Sequence, residues 1–316
     1  MHPFTRKVSA SVAALGEGKL IASIRRWLGA ASPRAPFGIG DDCAVLPPSP
    51  GRQLITVDPV IFPRHFDGRV PPRAVGEKLL KRNLSDLAAM GGQPTAAVLA
   101  LTLDARVSLH WLEQFYRGLA ACARRYRVPI VGGDIAQADG IVAASLTLLG
   151  RATAARTLTR TGARENDWIY VTGQLGGSLR TGHHFKFRPR LAEGAWLAAQ
   201  ENVRAMMDVS DGLAKDLHAL TPRGCQAALE GNLIPRRSHS TLRAALTDGE
   251  DYELVFVLAR DSDRHRFESG WRAAFPRTKL TRIGRFTRGR QVPRGAVPLE
   301  RYRGYEHLRR NTASRA

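Results

Sequence analysis

The sequence predicts two mixed α/β halves, with strands alternating with helices on either side of a break near residues 150–165. Three observations carry this. The chain has 316 residues, more than one ordinary hydrophobic core serves. Apolar runs of strand length are interleaved with apolar residues at helical spacing. The texture turns to Arg, Thr and Gly around 150–165 before a new apolar run opens at Trp168. The expected organisation is an N-terminal extension over 1–15, a first domain over 16–150 and a second over 151–316. No self-similarity appears at a solenoid period.

Residues 1–14 mix Arg6, Lys7, Ser, Ala and Val, too polar for a signal-peptide core, and read as a ragged extension. A helix is expected over Lys19–Leu28, with Leu20, Ile21, Ile24 and Leu28 on one face and Pro33 and Pro36 ending it. A glycine-rich turn spans Gly38–Asp42, and Ala44–Leu46 reads as a short strand. Leu54–Asp58 reads as another, which Pro59 should stop or bulge. The clearest helix is 72–90. Pro72 suits its first turn, Gly91 its C-terminal stop, and Val75, Leu79, Leu80, Leu84 and Leu87 recur at helical spacing. Ser108 should cap a helix carrying Leu112, Phe115, Leu119 and Cys122 inward. Val128–Val131 is a strand running into Gly132-Gly133-Asp134, and Ile141–Leu149 is a further one. In the second half, Trp168–Thr172 is a strand followed by Gly173, Gly176 and Gly177. Met206–Asp208 ends another, Ser210 is placed to cap the helix bearing Leu213 and Leu217, and Tyr252–Leu258 is a strongly apolar strand.

Composition narrows the class. A hydrophobic fraction of 43% and a charged fraction of 24% are ordinary for a globular protein. No apolar run approaches the roughly 18–20 residues that span a bilayer, so no membrane segment is expected. Cys43, Cys122 and Cys225 lie far apart without a CxxC pair, which suits a reducing cytoplasm and argues against a disulfide scaffold or a zinc site. The formal charge of +20 is mostly arginine spread along the chain. No basic helix with interleaved aromatics, zinc finger or RNP motif accompanies it, so no specific nucleic-acid partner is expected.

The chemical signal is a recurrence of aspartates where strands end or helices begin, often beside glycine: Asp41, Asp42, Asp58, Asp86, Asp134, Asp208 and Asp211. One such aspartate is usually a cap or turn former. Several converging on one cleft repel each other, by about 4 kcal/mol per pair at roughly 4 Å and an effective dielectric near 20, unless cations lie between them. Oxygen-only ligands select magnesium or a similar hard cation, completed by water and phosphates. Asn83 and Asp86 share a helix face with Leu79 and Met90, and a polar pair on that stripe needs partners. No GxxxxGK[ST] loop exists, which excludes a P-loop nucleotidase. The glycines after the expected strands, at 132–133 and at 173, 176 and 177, would let backbone N–H groups approach phosphates.

These motifs resemble those of the thiamine-monophosphate kinase family. GIGDDCAVL at Gly38–Leu46, NLSDLAAMG at Asn83–Gly91, VGGD at Val131–Asp134, DVSDGL at Asp208–Leu213 and GEDYEL at Gly249–Leu254 stand in the family's order and spacing. LTRTGA at Leu158–Ala163, DWIYVTG at Asp167–Gly173 and GYEHL at Gly304–Leu308 extend the match from about Gly16 to Leu308. The resemblance implies an α/β (α+β) two-domain fold of the aminoimidazole ribonucleotide synthetase type, mixed sheets with helices. It implies an ATP cleft between the domains and at the interface of a homodimer paired through its N-terminal sheets. It implies ATP and Mg²⁺, thiamine monophosphate as acceptor and thiamine diphosphate as product. By the same resemblance Asp42, Asp58, Asp86, Asp134, Asp208 and Asp211 are metal ligands with Thr56 an additional oxygen donor. Asp42, Asp86, Asp134 and Asp211 are placed at the reacting phosphates. Tyr116, Gly133, Asp134, Arg160 and Ser210 are nucleotide contacts, and His65, Glu250 and Tyr305 are substrate contacts.

Phosphoryl transfer asks for alignment and charge neutralisation more than covalent help. A phosphate monoester is already an anionic nucleophile near neutral pH, which fits a site rich in Asp without a Ser/His/Asp triad. The chain departs from the family pattern at Val57, where a second hydroxyl is usual. It departs again along Pro59–Arg64, where a small glycine-containing stretch is usual, and at Asp248, in place of glycine. Two other readings are an ATP-dependent synthetase of the same superfamily and a catalytically inactive basic binding protein. The position of Cys43 disfavours a selenide enzyme, the GEDYEL match disfavours an amidine-forming one, and retention of the aspartates disfavours an inactive protein.

Overall fold

A computed structural model describes residues 1–35, 37–39, 43–48, 51–289 and 293–306. The chain divides into two compact units, Met1–Thr157 and Leu158–Ala316.

The first unit holds strands β1 (Gln53–Ile61), β2 (Gly92–Leu103), β3 (Ile130–Gln137) and β4 (Val142–Ala152), and helices α1 (Glu17–Leu28), α2 (Pro72–Ala89) and α3 (Leu109–Tyr126). The sheet order is β1-β4-β2-β3, antiparallel except for the parallel pair β2/β3. Helices α2 and α3 bury Leu79, Leu80, Leu84, Leu112, Phe115 and Leu119 over one sheet face, against Leu146 and Leu148. The two helices meet backbone to backbone. A Cβ at Gly76 would lie 2.1 Å from the Phe115 carbonyl oxygen, and one at Gly118 2.0 Å from that of Arg73. The other sheet face is bare. Ile55 and Val57 on β1 are 72% and 61% exposed, and the ladder places Val57 beside Thr147, Val98 and Gly132 across the sheet.

Several expectations are corrected here. β1 runs straight through Pro59, because an edge strand paired only with β4 needs no N–H on its free side. Ala44–Leu46 forms no strand, and Val45 and Leu46 stay exposed. Gly132-Gly133-Asp134 lie inside β3 rather than in a loop after it. The leading residues do not trail free. Ser108 N–H donates to Pro3 O at 2.7 Å and Val12 N–H to Val107 O at 2.8 Å, and His2 and Phe4 pack on Phe62. The bulk of Phe62, one of the departures in the 59–64 loop, is thus absorbed by the N-terminal segment.

The second unit holds β5 (Trp168–Thr172), β6 (Val203–Asp208), β7 (Cys225–Leu229), β8 (Leu254–Leu258) and β9 (Leu280–Arg288), in the order β6-β8-β5-β9-β7 with all pairs antiparallel. Its helices are α4 (Ser178–Thr181), α5 (His183–Lys186), α6 (Leu191–Ala198), α7 (Leu213–Leu220), α8 (Leu242–Thr247) and α9 (Arg264–Ala274). One sheet face packs Ile169, Val171, Val255 and Val257 on Leu213, Leu217 and Leu246. The other stacks Tyr170 on Phe256, with Phe267 of α9 closing over both. Burial on both faces explains the uninterrupted LVFVL of β8. That strand begins at Leu254 rather than Tyr252, because Tyr252 has φ +52°.

Candidate active site

In the first unit, alternation along β1 points Thr56 and Asp58 to the helix side, where α2 brings Asp86. Thr56 Oγ1 donates to Asp86 Oδ2 at 2.5 Å. Asp58 Oδ1 accepts from Arg82 Nη2 at 3.0 Å, and Arg82 Nη1 also donates to Pro59 O at 2.7 Å. A guanidinium already beside Asp58 marks a place that calls for positive charge. With a hydroxyl and two carboxylates as donors, this group fits a hard divalent cation. Asn83 does not join it. It is fully buried and its amide donates to Leu79 O at 2.9 Å in its own helix.

Asp134 lies elsewhere. Its register partner Ala100 puts it on the bare face, and β3 is three strands from β1, roughly 14 Å at the usual strand spacing. Val57 points to the same bare face, so a hydroxyl there would serve Asp134's side of the sheet and not the Thr56 group. Asp42 lies outside the described residues. Among the described residues no three His, Cys, Asp or Glu side chains come together as a metal-binding group.

A second feature of this unit is a cavity of about 240 Å³ between α1 and β3. Ile21, Ile24 and Leu28 of α1 form one wall, Tyr116 another, and Gly132, Gly133 and Asp134 the rim. Gly133 is required there, since a Cβ would lie 2.1 Å from the Leu99 carbonyl oxygen. Tyr116 is buried, with its ring 6.0 Å from that of Trp27, and burial pushes its hydroxyl pKa up. Two of the expected nucleotide contacts therefore share one pocket with Asp134. Glu17, from the Gly16-Glu17 pair that opens the family match, also lines it. His65 turns back on the end of β1, its Nδ1 accepting from Ile61 N–H at 3.1 Å.

In the second unit three distant stretches meet at residues 208–211. Glu250 N–H donates to Ser210 O at 2.7 Å, and Tyr305 N–H to Asp211 O at 2.8 Å. Lys215 Nζ bridges Asp211 Oδ2 at 2.5 Å and Tyr305 O at 2.6 Å. Glycines make room: a Cβ at Gly249 would lie 2.6 Å from Ser210 O, and one at Gly304 2.4 Å from Asp211 O. Asp208 ends β6, 3% exposed. Ser210 does not cap α7, whose N-cap is Gly212. The buried Asp216 reaches back instead, accepting from Asp211 N–H at 3.0 Å. Burial, and then the Asp211 charge, push the Asp216 carboxyl up to about 7.

Glu250 holds φ +51°, with His184 Nδ1 3.6 Å from its Oε2. Arg160 is exposed next to Thr159, whose carbonyl accepts from Met206 N–H on the edge strand β6. The glycine loop after β5 has occupied donors. Gly176 N–H donates to Asp251 at 2.9 Å and Gly177 N–H to Asp248 Oδ2 at 2.8 Å. Carboxylates of the chain, not phosphates, take those groups, and Asp248 thereby has a structural reason to replace glycine.

Comparison with known proteins bears on both units. Residues 40–152 match the model of the AIR synthase related protein N-terminal domain. The chain is 32% identical over 326 residues to thiamine-monophosphate kinase of Salmonella typhimurium, covering 93% of this chain and 99% of that one. It is 34% identical over 274 residues to the Rhodopirellula baltica enzyme of the same name, covering 80% and 84%.

This chain belongs to the thiamine-monophosphate kinase family.

Solved structures agree. The Stenotrophomonas maltophilia thiamine-monophosphate kinase superposes with a TM-score of 0.72 at 30% identity, over 85% of this chain and 95% of that one. A complex described as AaThiL with AMPPCP and TMP superposes at 0.68 and 27% identity, over 96% and 100%. A hydrogenase maturation protein HypE in complex with ATP, 18% identical, shares the fold at 0.69. Within the family frame, Lys215, Asp216 and Arg82 are the site neighbours that motif reading missed. Lys215 alone left a signal, four residues after Asp211 and in the first turn of α7.

Proposed function

We propose that this protein transfers the γ-phosphoryl group of ATP to thiamine monophosphate, giving thiamine diphosphate and ADP, with magnesium and as a homodimer in the cytoplasm. The observation that carries the reading is likeness over 96% of the chain to a family member solved with an ATP analogue and TMP.

The apolar pocket between α1 and β3 is the proposed seat of the nucleotide base, with Tyr116 as a wall and Gly133 allowing backbone approach. Thr56, Asp58 and Asp86 would hold magnesium in the first unit, with Asp42 as a further donor; Asp134 would serve a separate ion on the opposite sheet face, and Asp208 and Asp211 would serve in the second unit. Bound magnesium supplies charge neutralisation on the β- and γ-phosphates. Arg160 and Ser210 are proposed phosphate contacts. The acceptor phosphate is ionised near neutral pH, so no general base is assigned. Glu250, fixed by its backbone to Ser210, offers a carboxylate to the cationic ring system, and Tyr305, fixed to Asp211, offers an aromatic face. His65 is a further proposed substrate contact. The bare sheet face of Ile55 and Val57 supports pairing with a second copy, which would place Asp134 at the seam. No helix of the described residues is long and apolar enough to cross a membrane.

The test is a panel of phosphomonoesters offered with ATP and Mg²⁺. Thiamine monophosphate should show the highest kcat/KM. Turnover of another monoester with none of thiamine monophosphate would overturn the substrate assignment and leave the kinase chemistry.

A further inference from the structure

A groove of about 600 Å³ runs between α1 and α3 on the side of α1 away from the nucleotide pocket. Its lining is unusual for its charge. Arg26 comes from α1, Arg73 from the first turn of α2, and Arg117 and Arg124 from α3, against the single acid Glu113. Arg117 and Arg124 are seven residues apart, so they lie on one helix face roughly 10 Å apart along the axis. The small side chains of Ala120 and Ala121 form the floor between them.

The positions of these cations are set by the core. The backbone crossing at Gly118 holds Arg73 against α3, and Arg73 Nε donates to Gln114 Oε1 at 2.9 Å. Arg117 is held by Glu113 at 2.6 Å. The Arg26 guanidinium meets only the Ser23 hydroxyl, at 3.1 Å, and among the described residues the Arg124 guanidinium has no hydrogen-bond or ion-pair partner. Three guanidiniums thus face the groove without a compensating charge. Trp27 adds a half-buried aromatic wall, backed by Tyr116.

We propose that this groove is a binding site for a small diphosphate-bearing anion, distinct from the nucleotide pocket. The chemistry is specific to that class. Guanidinium forks match phosphate oxygens in pairs, and two phosphates are needed to satisfy cations spaced along two helices. The volume is that of a small-molecule site, and Trp27 can cover a ring attached to the diphosphate. A cationic ring without phosphates would be repelled.

The experiment is calorimetric titration of the full-length protein with inorganic pyrophosphate in EDTA, which removes metal-dependent binding. Saturable binding is expected at moderate salt, weakened by added salt. Arg73→Glu with Arg124→Glu should weaken it about tenfold or more, as expected for losing charge-assisted hydrogen bonds. Arg73→Gln with Arg124→Gln repeats the test without adding negative charge. Glu113→Gln should do the opposite, tightening pyrophosphate several-fold by removing the only acid and freeing Arg117; a folding defect cannot produce that gain. Titrations with thiamine diphosphate and with ADP then distinguish the source of the diphosphate by which of them loses affinity in the double arginine variants. Pyrophosphate affinity unchanged by both arginine pairs and by Glu113→Gln would overturn the proposal. So would binding confined to oligonucleotides and growing with their length, which would make the groove part of a nucleic-acid surface.

Discussion

Replacing Arg237 by Met should expose how the glycine loop of the second unit is held. Asp251 is fully buried and takes the Gly176 N–H on both oxygens, at 2.9 and 3.2 Å, while the Arg237 guanidinium forms an ion pair with it and donates to Gly176 O at 3.0 Å. Burial pushes the Asp251 carboxyl from 3.8 up to about 7, with the Arg237 charge opposing the rise. Removing Arg237 must push it higher still. A carboxyl raised on folding contributes stability that is full below its unfolded pKa and is lost as pH climbs through the folded one. Wild type and variant therefore lose stability in parallel between about pH 4 and pH 7. Above about pH 7 the wild type levels off while the variant keeps falling, by about 1.4 kcal/mol per pH unit. Near pH 6 the variant should be weaker by only the lost hydrogen bonds, about 1–2 kcal/mol. Near pH 8.5 the gap should reach about 3–4 kcal/mol, the range for a buried charge left without its partner. Urea unfolding at those two pH values measures it. A gap that does not change with pH, or one below about 1 kcal/mol near pH 8.5, would refute the reasoning.

Three other substitutions test the site. Asp86→Asn should lower turnover by about 100-fold or more while leaving the metal-free protein at least as stable, since it removes a charge from an acidic group; wild-type turnover at limiting Mg²⁺ would remove Asp86 from the metal site. Gly133→Ala must move the Leu99 carbonyl, so it should cost about 1–3 kcal/mol of stability and weaken binding of a nonhydrolysable ATP analogue, and an unchanged analogue affinity would separate that pocket from the nucleotide. Ile55→Lys with Val57→Lys puts two charges on the bare sheet face and should give a monomer by sedimentation, whereas an unchanged mass would place the subunit contact elsewhere.

Much of the fold was legible because local signals and packing agree. Pro72, the leucine spacing and Gly91, at φ +67°, bound α2 as the sequence suggests, and Ser108 caps α3 through Trp111 N–H. The misses lie where the tertiary setting outweighed the local signal. Two glycines before an aspartate look like a loop, yet they sit in β3, paired with Val98 and Leu99 of β2. Pro59 looks like a strand end, yet β1 has a free edge. Ser210 looks like a cap, yet the buried Asp216 takes the loop's N–H. The site divides the same way. Thr56 and Asp58 could be placed on one face from alternation alone. That Asp134 points to the opposite face depends on the register of β2 and β3, and the meeting of Glu250 and Tyr305 at residues 208–211 depends on pairings that no local pattern carries.

Phosphoryl transfer to thiamine monophosphate is tested most directly by following an isotopically labelled γ-phosphoryl group from ATP in the presence of thiamine monophosphate and Mg²⁺, with products identified by mass. The label should appear in thiamine diphosphate, one for each ADP formed, and omitting thiamine monophosphate should abolish ADP formation. Label appearing in inorganic phosphate, with thiamine monophosphate left intact, would contradict it.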